Sequence, residues 1–390
     1  MASILTDILK PSVVTKIVSR IRTPRNTLAT WFGIHQGGGN VETLLIPGLR
    51  QYTYDIYDNV RDIARARLPF TPAGTIAANP VGNNTVTLGR FAEKLALDYN
   101  KVAAMRALGE NAGMIDKLGK RYVDKQAETM AQRHANLIEF LAGSLLRGGL
   151  YYFFQSGDDL IPSYTSSGAL FGVDLKMPST HKLIGGSFGA GLALDGTNNT
   201  ITATWATITN DIPLMLQKVS AGFQASVGEP LAEVKCNYTV WNNVLQNNYV
   251  RQLAGTSSSP FAGWSKADAA KNPDGTDSGE QVGKIKGLEW INWRISEHGL
   301  NVYDGSSAYT FTKMIPDDYC LFSIAQGDWL KRVDGTEIVK NDDMAPPTPE
   351  TGLTSWIMEK ADPARFEMHG LNNLGLELNV PKAVAVARVQ

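Results

Sequence analysis

The clearest hydrophobic pattern in the chain lies between residues 117 and 147, where apolar side chains recur at every third or fourth position. This spacing is typical of one face of an α-helix, and Gly148 and Gly149 supply a stop. About thirty residues make a rod of roughly 45 Å. Because the pattern is not a sustained heptad, we expect a single-sided helix that lies across a sheet. The stripe consists of Val123, Ala127, Met130, His134, Leu137, Ile138, Leu141 and Leu145.

Residues 50–99 show a different pattern, with two extended segments around a long tip. Residues 51–58 alternate apolar and polar positions, as strands do, and the chain returns through residues 85–97. The tip between them is rich in Pro, Gly and Asn. Because this arm has little apolar content of its own, we expect a partner surface to order it.

Arginines on this arm suit forked pairing with carboxylates of a neighbouring molecule. We therefore expect the arm to supply contacts between subunits. The candidate contact residues are Arg61, Arg65, Arg67, Phe70, Arg90 and Glu93.

The first 36 residues are mildly basic and form two short apolar helical faces. They are too few to build a core, which favours an arm that lies on another surface. A simple N-terminal helix packed on its own domain fits these residues equally well.

The rest of the chain mixes strands and helices, which predicts an α+β fold. Strands flank the turn at 156–159, and Asn210 or Asp211 is expected to cap a helix that ends at Gly228. A strand at 231–238 leads into a helix around 240–249, and residues 255–283 form a long polar loop. Residues 284–340 are a strand-rich block punctuated by Asp-Gly turns, and the C-terminus ends as an apolar strand.

Composition narrows the function classes. The 390 residues suggest two or three lobes, and a net charge of −1 argues against a protein that grips nucleic acid tightly. Cys236 and Cys320 are too few for a disulfide framework or a four-cysteine zinc site, which favours two buried thiols. The sequence has neither an apolar run long enough to span a bilayer nor a signal peptide, so we expect folding in a reducing cytoplasm.

Candidate catalytic motifs are weak. The glycine-rich segment at 185–191 lacks the Lys and Ser/Thr of a nucleotide loop, and no two of the five histidines have a metal-ligand spacing. Trp290 and Trp293 could form a carbohydrate-stacking platform, but in a strand they would face opposite sides, which favours packing. We therefore predict no catalytic, cofactor-binding or metal-binding residues.

Several segments, read in order, resemble the major capsid proteins of tailed bacteriophages, in particular the lambda-type major capsid protein E family, which has the Hong Kong 97 fold. Each segment is a weak match on its own, and the resemblance depends mainly on the order in which the segments occur. The segments are YDIYDNVRDIARARLPFTPAGT (54–75), GRFAEKLALDYNKVAAMRALGE (89–110), the helix at 120–147, EVKCNYTVWNNVLQNNYVRQ (233–252), GLNVYDGSSAYTFTKMIPDDYCLFS (299–323) and PARFEMHGLNNLGLELNVPKAVAVARV (363–389).

The resemblance implies a Hong Kong 97-type capsid fold with five parts. These are an N-terminal arm (1–49), an extended β-hairpin loop (50–99), a peripheral domain (100–185) with a spine helix at 117–147, an axial domain (186–340) with the polar loop 255–283, and a closing segment (341–390) that returns to the peripheral domain.

The resemblance also implies a non-enzymatic subunit that assembles through hexamers and pentamers into an icosahedral shell around double-stranded DNA. Assembly would take place in the host bacterial cytoplasm and the product would be the virion capsid. The implied partners are a scaffolding protein, a portal protein, packaged DNA contacted non-specifically and a possible cement protein.

Two family features are expected to be absent. Because the capsid-like pattern begins within the first fifty residues, we expect a separate scaffolding protein and no maturation cleavage. Residues 51–93 contain no lysine, so we expect no isopeptide bond from the extended loop. Two other functions remain open, namely another self-assembling phage structural protein of the tail or decoration type, and a carbohydrate-binding enzyme.

Overall fold

The protein has a mixed α+β fold, which confirms the predicted fold class. Contacts divide the chain into two compact units, unit 1 (1–52, 86–141 and 331–376) and unit 2 (53–85, 142–330 and 377–390). A computed structural model describes residues 27–35, 38–49, 51–56, 82–97, 112–147, 150–154, 160–164, 171–183, 194, 201–253, 264–266, 281–285, 287–303, 309–325, 327–339, 348–361 and 364–390.

The described part of the chain contains five α-helices and twenty strands. The helices are α1 (Thr27–Trp31), α2 (Ala112–Arg147), α3 (Ile212–Ser226), α4 (Tyr238–Gln246) and α5 (Asn248–Leu253). The strands are β1 (Val41–Pro47), β2 (Gln51–Ile56), β3 (Gly82–Thr87), β4 (Gly89–Leu97), β5 (Leu150–Phe154), β6 (Leu160–Ser163), β7 (Phe171–Val173), β8 (Lys182–Leu183), β9 (Glu233–Cys236), β10 (Trp264–Lys266), β11 (Gln281–Ile285), β12 (Asn292–Ile295), β13 (Gly299–Tyr303), β14 (Tyr309–Lys313), β15 (Tyr319–Ser323), β16 (Leu330–Val339), β17 (Thr348–Thr351), β18 (Thr354–Ala361), β19 (Ala364–Leu378) and β20 (Val384–Arg388).

Unit 1 is built on a six-stranded sheet in which β1, β16, β19 and β18 follow one another, β17 pairs with β16, and β4 pairs with β19. Helix α2 packs its apolar stripe on this sheet, as its periodicity predicts. The helix begins at Ala112, earlier than predicted, and ends at Arg147 as predicted. The core between helix and sheet contains Val123, Ala127, Met130, Ala131, Leu97 and Met368.

Unit 2 contains a seven-stranded sheet in the order β10, β11, β12, β9, β15, β20, β8. The predicted C-terminal strand is confirmed as β20, which lies between β15 and β8. An aromatic cluster packs around Trp293 of β12, whose ring lies 6.4 Å from that of Trp205 and 5.4 Å from that of Trp241 on α4. Both Cys236 and Cys320 are free and buried, which confirms the predicted pair of buried thiols.

Helix α3 shows how local sequence sets an element. The Asp211 carboxylate accepts a hydrogen bond from the Leu214 backbone N–H, which confirms the predicted cap and satisfies one of the open donors of the first turn. The next predicted helix is split in two, because Asn247 has extended backbone between α4 and α5. The Asn247 side chain accepts from the backbone N–H groups of Tyr249 and Val250, and therefore starts α5.

The structure corrects two sequence predictions, one about a turn and one about a loop. Asp334-Gly335 was expected to form a turn but lies inside β16, because Arg332 neutralises the buried Asp334 carboxylate and Gly335 gives room to Leu88 and Asn373. The polar segment 255–283 was expected to be a loop, yet it contains β10, which pairs with β11. A three-residue strand is too short for periodicity to reveal.

Smaller sheets complete the fold. Strands β5 and β6 pair antiparallel, which confirms the hairpin predicted around 156–159. Strands β2 and β3 form a two-stranded ribbon, and β13 pairs with β14. No helix in the described ranges is long and apolar enough to span a membrane.

Candidate surface for contacts between subunits

The described part of the predicted extended loop, residues 50–99, consists of the β2–β3 ribbon and of β4, which pairs with β19 in the unit 1 sheet. The base of the ribbon is fixed by Tyr54, whose hydroxyl accepts hydrogen bonds from the Asn84 side chain at 3.0 Å and from the Leu378 backbone at 3.3 Å. Asn84 also donates to the Asp174 carbonyl at 3.1 Å. Burial raises the pKa of Tyr54, so its hydroxyl keeps its proton at neutral pH.

The other side of the ribbon is polar and exposed. Thr53 and Thr85 lie opposite each other with hydroxyls 3.0 Å apart, and both are exposed. The ribbon therefore has one anchored side and one open side, as a contact arm requires. Four candidate contact residues, Arg61, Arg65, Arg67 and Phe70, lie outside the described residues.

The other two candidates, Arg90 and Glu93, lie on opposite faces of β4. The Arg90 guanidinium is 3.7 Å from the Glu337 carboxylate, and about half of the Arg90 side chain stays exposed. Glu93 points toward α2, where its carboxylate lies 2.7 Å from the Arg133 guanidinium. Both side chains thus have partners within their own unit, and their role in contacts between subunits stays a prediction.

Apolar side chains are exposed at two further places. Leu45 is 80% and Ile46 is 63% exposed on β1, the outer strand of the unit 1 sheet. Tyr309 and Phe311, both largely exposed, share one face of the β13–β14 hairpin in unit 2. Exposed apolar side chains that cluster on strands mark sites where another surface packs.

The N-terminal end of the described chain is anchored within unit 1. The side chains of Leu28, Trp31, Phe32 and Ile34 are almost fully buried. The Glu139 carboxylate on α2, itself fully buried, accepts hydrogen bonds from the backbone N–H groups of Leu28 at 2.8 Å and Ala29 at 2.9 Å. Of the predicted arm 1–49, residues 27–35 and 38–49 are therefore packed on their own unit, while residues 1–26 lie outside the described residues.

One buried cluster has the composition of a catalytic site but the contacts of a structural one. In unit 2 the Glu233 carboxylate lies 2.7 Å from the Lys235 ammonium and 2.9 Å from the Arg294 guanidinium. Lys235 also donates to the Ser323 hydroxyl at 3.1 Å. Burial alone would raise the pKa of Glu233, but the two cations outweigh it and lower that pKa. A carboxylate held ionised between two cations is a poor proton donor or acceptor near neutral pH.

Other candidate chemistry receives no geometric support in the described ranges. No group of three or more His, Cys, Asp or Glu side chains there could hold a metal ion. Trp293 is buried in the aromatic cluster while Trp290, in the preceding turn, is 41% exposed, so the two rings do not form a common platform. The glycine-rich segment 185–191 lies outside the described residues.

The sequence did not predict two sets of buried contacts, namely those of Glu139 and those of the Arg332–Asp334 pair. Glu139 bonds residues that are 110 and 111 positions away, so no local spacing identifies its partners. A signal was nevertheless present, because a single carboxylate interrupts the apolar segment LIEFLAG of α2. A charge at such a position needs an internal partner.

No protein-family model and no curated protein matches the chain. Among solved structures, it is similar to a phage-related protein from Bordetella bronchiseptica RB50, with 10% identity and a TM-score of 0.47 over 98% of this chain and 97% of that one. It is also similar to a protein designated a prophage capsid protein in Escherichia coli CFT073, with 12% identity and a TM-score of 0.46 over 80% of each chain. A third similar structure is the procapsid of satellite phage P4, with 10% identity and a TM-score of 0.43 over 97% of this chain and 90% of that one. At these identities the similarity concerns the backbone path and assigns no residue a role.

Proposed function

We propose that this chain is the major capsid protein of a tailed bacteriophage with a Hong Kong 97-type fold. In this proposal it is a non-enzymatic subunit that assembles through hexamers and pentamers into an icosahedral shell around double-stranded DNA. Assembly takes place in the host cytoplasm, and the product is the virion capsid.

The order of elements along the chain carries this proposal. A two-stranded ribbon is followed by a 36-residue helix on a sheet, then by the strand-helix unit of β9 and α4, and finally by a buried closing strand. This is the order in which the capsid-like segments of the sequence occur. An enzyme of this size would need a constellation of reactive groups, and the fully paired cluster around Glu233 offers none.

Shell formation also fits the exposed surfaces. Many weak contacts, repeated by symmetry, add up to a cooperative assembly, so no single interface needs to be large. The open side of the β2–β3 ribbon and the apolar side chains Leu45 and Ile46 are surfaces suited to such contacts. In the assembly, a separate scaffolding protein and a portal protein are further partners, the outer surface leaves a cement protein as an option, and the DNA is contacted without sequence preference.

Sizing of the purified full-length chain tests the proposal. We expect capsomers or hollow shells of megadalton mass by light scattering and negative-stain microscopy. A small monodisperse oligomer would contradict the capsid function, and regular tubes would indicate a tail protein instead.

The arm contact can be tested separately in the same experiment. Replacement of Arg61, Arg65 and Arg67 together by Glu is expected to reduce the assembled fraction at least tenfold, because the introduced carboxylates would repel the carboxylates that the arginines contact. The matched control replaces the same three residues by Lys, which keeps the charge and should retain much of the assembly. If the Glu variant assembles like the wild type, the arm contact is wrong while the capsid function stands.

A further inference from the structure

The chain from Thr27 to Ile34, here called the root segment, is held by side chains that are far away in the sequence. Glu139 has no exposed surface, and its two carboxylate oxygens each accept one backbone N–H, from Leu28 and from Ala29. These two N–H groups belong to the first turn of α1, where the helix itself provides no acceptor. Burial of a carboxylate is costly unless it is hydrogen-bonded, so the arrangement stabilises one position of the root segment over others.

A second buried charge holds the other end of the root segment. The Arg332 guanidinium forms a forked pair with the Asp334 carboxylate, with contacts of 2.8 and 2.7 Å. Its remaining nitrogen donates to the Ile34 carbonyl at 2.8 Å, and the Asn40 side chain donates to the Phe32 carbonyl at 2.8 Å. The backbone of the root segment is thus bound at both ends as well as through its buried apolar side chains.

We propose that Glu139 and Arg332 are positioning residues for self-assembly. They fix the root segment on unit 1 and so set the direction in which the preceding residues, 1–26, reach a neighbouring subunit. The inference rests on the proposed function and on the predicted N-terminal arm, whose residues 1–26 are expected to contact another copy of the chain.

The physical reason is preorganisation. A contact made by an arm contributes to assembly only after the entropy cost of ordering the arm has been met. A rigid root raises the effective concentration of the arm at its target, whereas a loose root spreads it over many directions. Apolar packing alone would keep the root segment on unit 1. The four hydrogen bonds to its backbone, at Leu28, Ala29, Phe32 and Ile34, also fix its register and orientation, because hydrogen bonds are directional.

The substitution Glu139→Gln tests the inference on the full-length chain. The amide offers one acceptor oxygen in place of two, and its NH₂ group faces a backbone donor. The matched control is Glu128→Gln, the same substitution on an exposed position of the same helix. We expect hydrogen exchange at the Leu28 and Ala29 amides to accelerate at least tenfold in Glu139→Gln alone, and its assembled fraction to fall at least tenfold.

The outcomes separate this inference from the proposed function. If Glu139→Gln assembles as Glu128→Gln does, or if its exchange at Leu28 and Ala29 is unchanged, the positioning role is wrong. If the wild type itself does not assemble, the capsid function fails, while the exchange measurement still reports on the hydrogen bonds of Leu28 and Ala29 with Glu139. Should Glu139→Gln fail to fold, the milder Asn40→Ala variant, which removes the side-chain contact with the Phe32 carbonyl, must show a smaller loss of assembly in a folded protein. Asn40→Ala with unchanged assembly would then overturn the inference.

Discussion

At the residue scale, two kinds of buried ionisable group occur among the described residues. Glu139 and Glu233 have hydrogen-bond donors or cations around them, and each can hold a negative charge in the interior. His134 is different. It is 3% exposed on α2, and neither ring nitrogen has a hydrogen-bond partner among the described residues. Burial, assisted by the nearby Arg133 charge, lowers its pKa to about 4, so it is neutral in the folded protein at pH 7.

This histidine should make the protein sensitive to acid. Its pKa in the folded state lies below the ordinary value of 6.5, so the unfolded chain takes up the proton first as the pH falls. The free energy of unfolding is therefore highest above about pH 6.5, where His134 is neutral in both states. It falls by about 3 kcal/mol between about pH 6.5 and pH 4 because of this residue. In His134→Leu, the free energy of unfolding measured with urea between pH 7 and 4.5 should depend less strongly on pH than in the wild type.

The wild type provides the control for this measurement. Burial also lowers the pKa of His181, but that residue is unchanged in the variant, so the difference between the two proteins isolates His134. Parallel stability curves for wild type and variant over this pH range would show that His134 does not titrate as its surroundings indicate.

At the element scale, the contact between α2 and the unit 1 sheet depends on the absence of a side chain at Gly370. A Cβ atom there would overlap the Met130 sulfur and would lie 3.2 Å from His134 Nε2. Met130 belongs to the core with Leu97 and Met368, so it has little freedom to move away. Gly370→Ala should therefore destabilise the protein by about 1–3 kcal/mol in chemical denaturation.

Gly39→Ala is the matched control for this substitution. A Cβ atom at Gly39 has no other group within 4 Å, so the added methyl group meets no obstacle. We expect a change of no more than about 0.5 kcal/mol there. An equal effect of the two substitutions would mean that the helix does not approach the sheet as closely as described.

The elements that the sequence predicted correctly are those with a local cause. Helix α2 has a stripe of period 3.6, Asp211 is a cap residue before an apolar run, and β20 is a continuous apolar segment. Each of these patterns can be read within about one or two dozen residues.

Most of the features that the sequence did not predict depend on partners that are far away along the chain. Asp334-Gly335 has the composition of a turn, and only the pairing of Asp334 with Arg332 and the crowding around Gly335 explain why it continues a strand. The role of Glu139 follows from backbone groups more than a hundred residues away. Of the candidate contact residues, Arg90 and Glu93 have partners within their unit that no sequence spacing indicated.

At the scale of the whole molecule, positive and negative charges balance. The chain has 37 Lys and Arg residues against 38 Asp and Glu residues. In both units many cations lie beside carboxylates, which reduces the positive potential available to an outside polyanion. Such pairs include Arg133–Glu93, Arg332–Asp334, Lys331–Glu42, Lys235–Glu233, Lys313–Glu297 and Arg388–Asp318.

This balance predicts weak and salt-sensitive binding of the unassembled chain to duplex DNA. Each phosphate neutralised by a cation steepens the dependence of log affinity on log salt by about 0.9, so the slope counts the contacts. Between about 50 and 200 mM salt we expect a slope shallower than about −3 and no detectable complex at the upper end. Glu93→Gln, which releases the Arg133 guanidinium, should steepen the slope by no more than about one contact.

A wild-type slope of about −5 or steeper would mean six or more phosphate contacts. In the proposed shell, the inner wall would then bind the genome tightly, which contradicts a capsid whose DNA has to pack and leave.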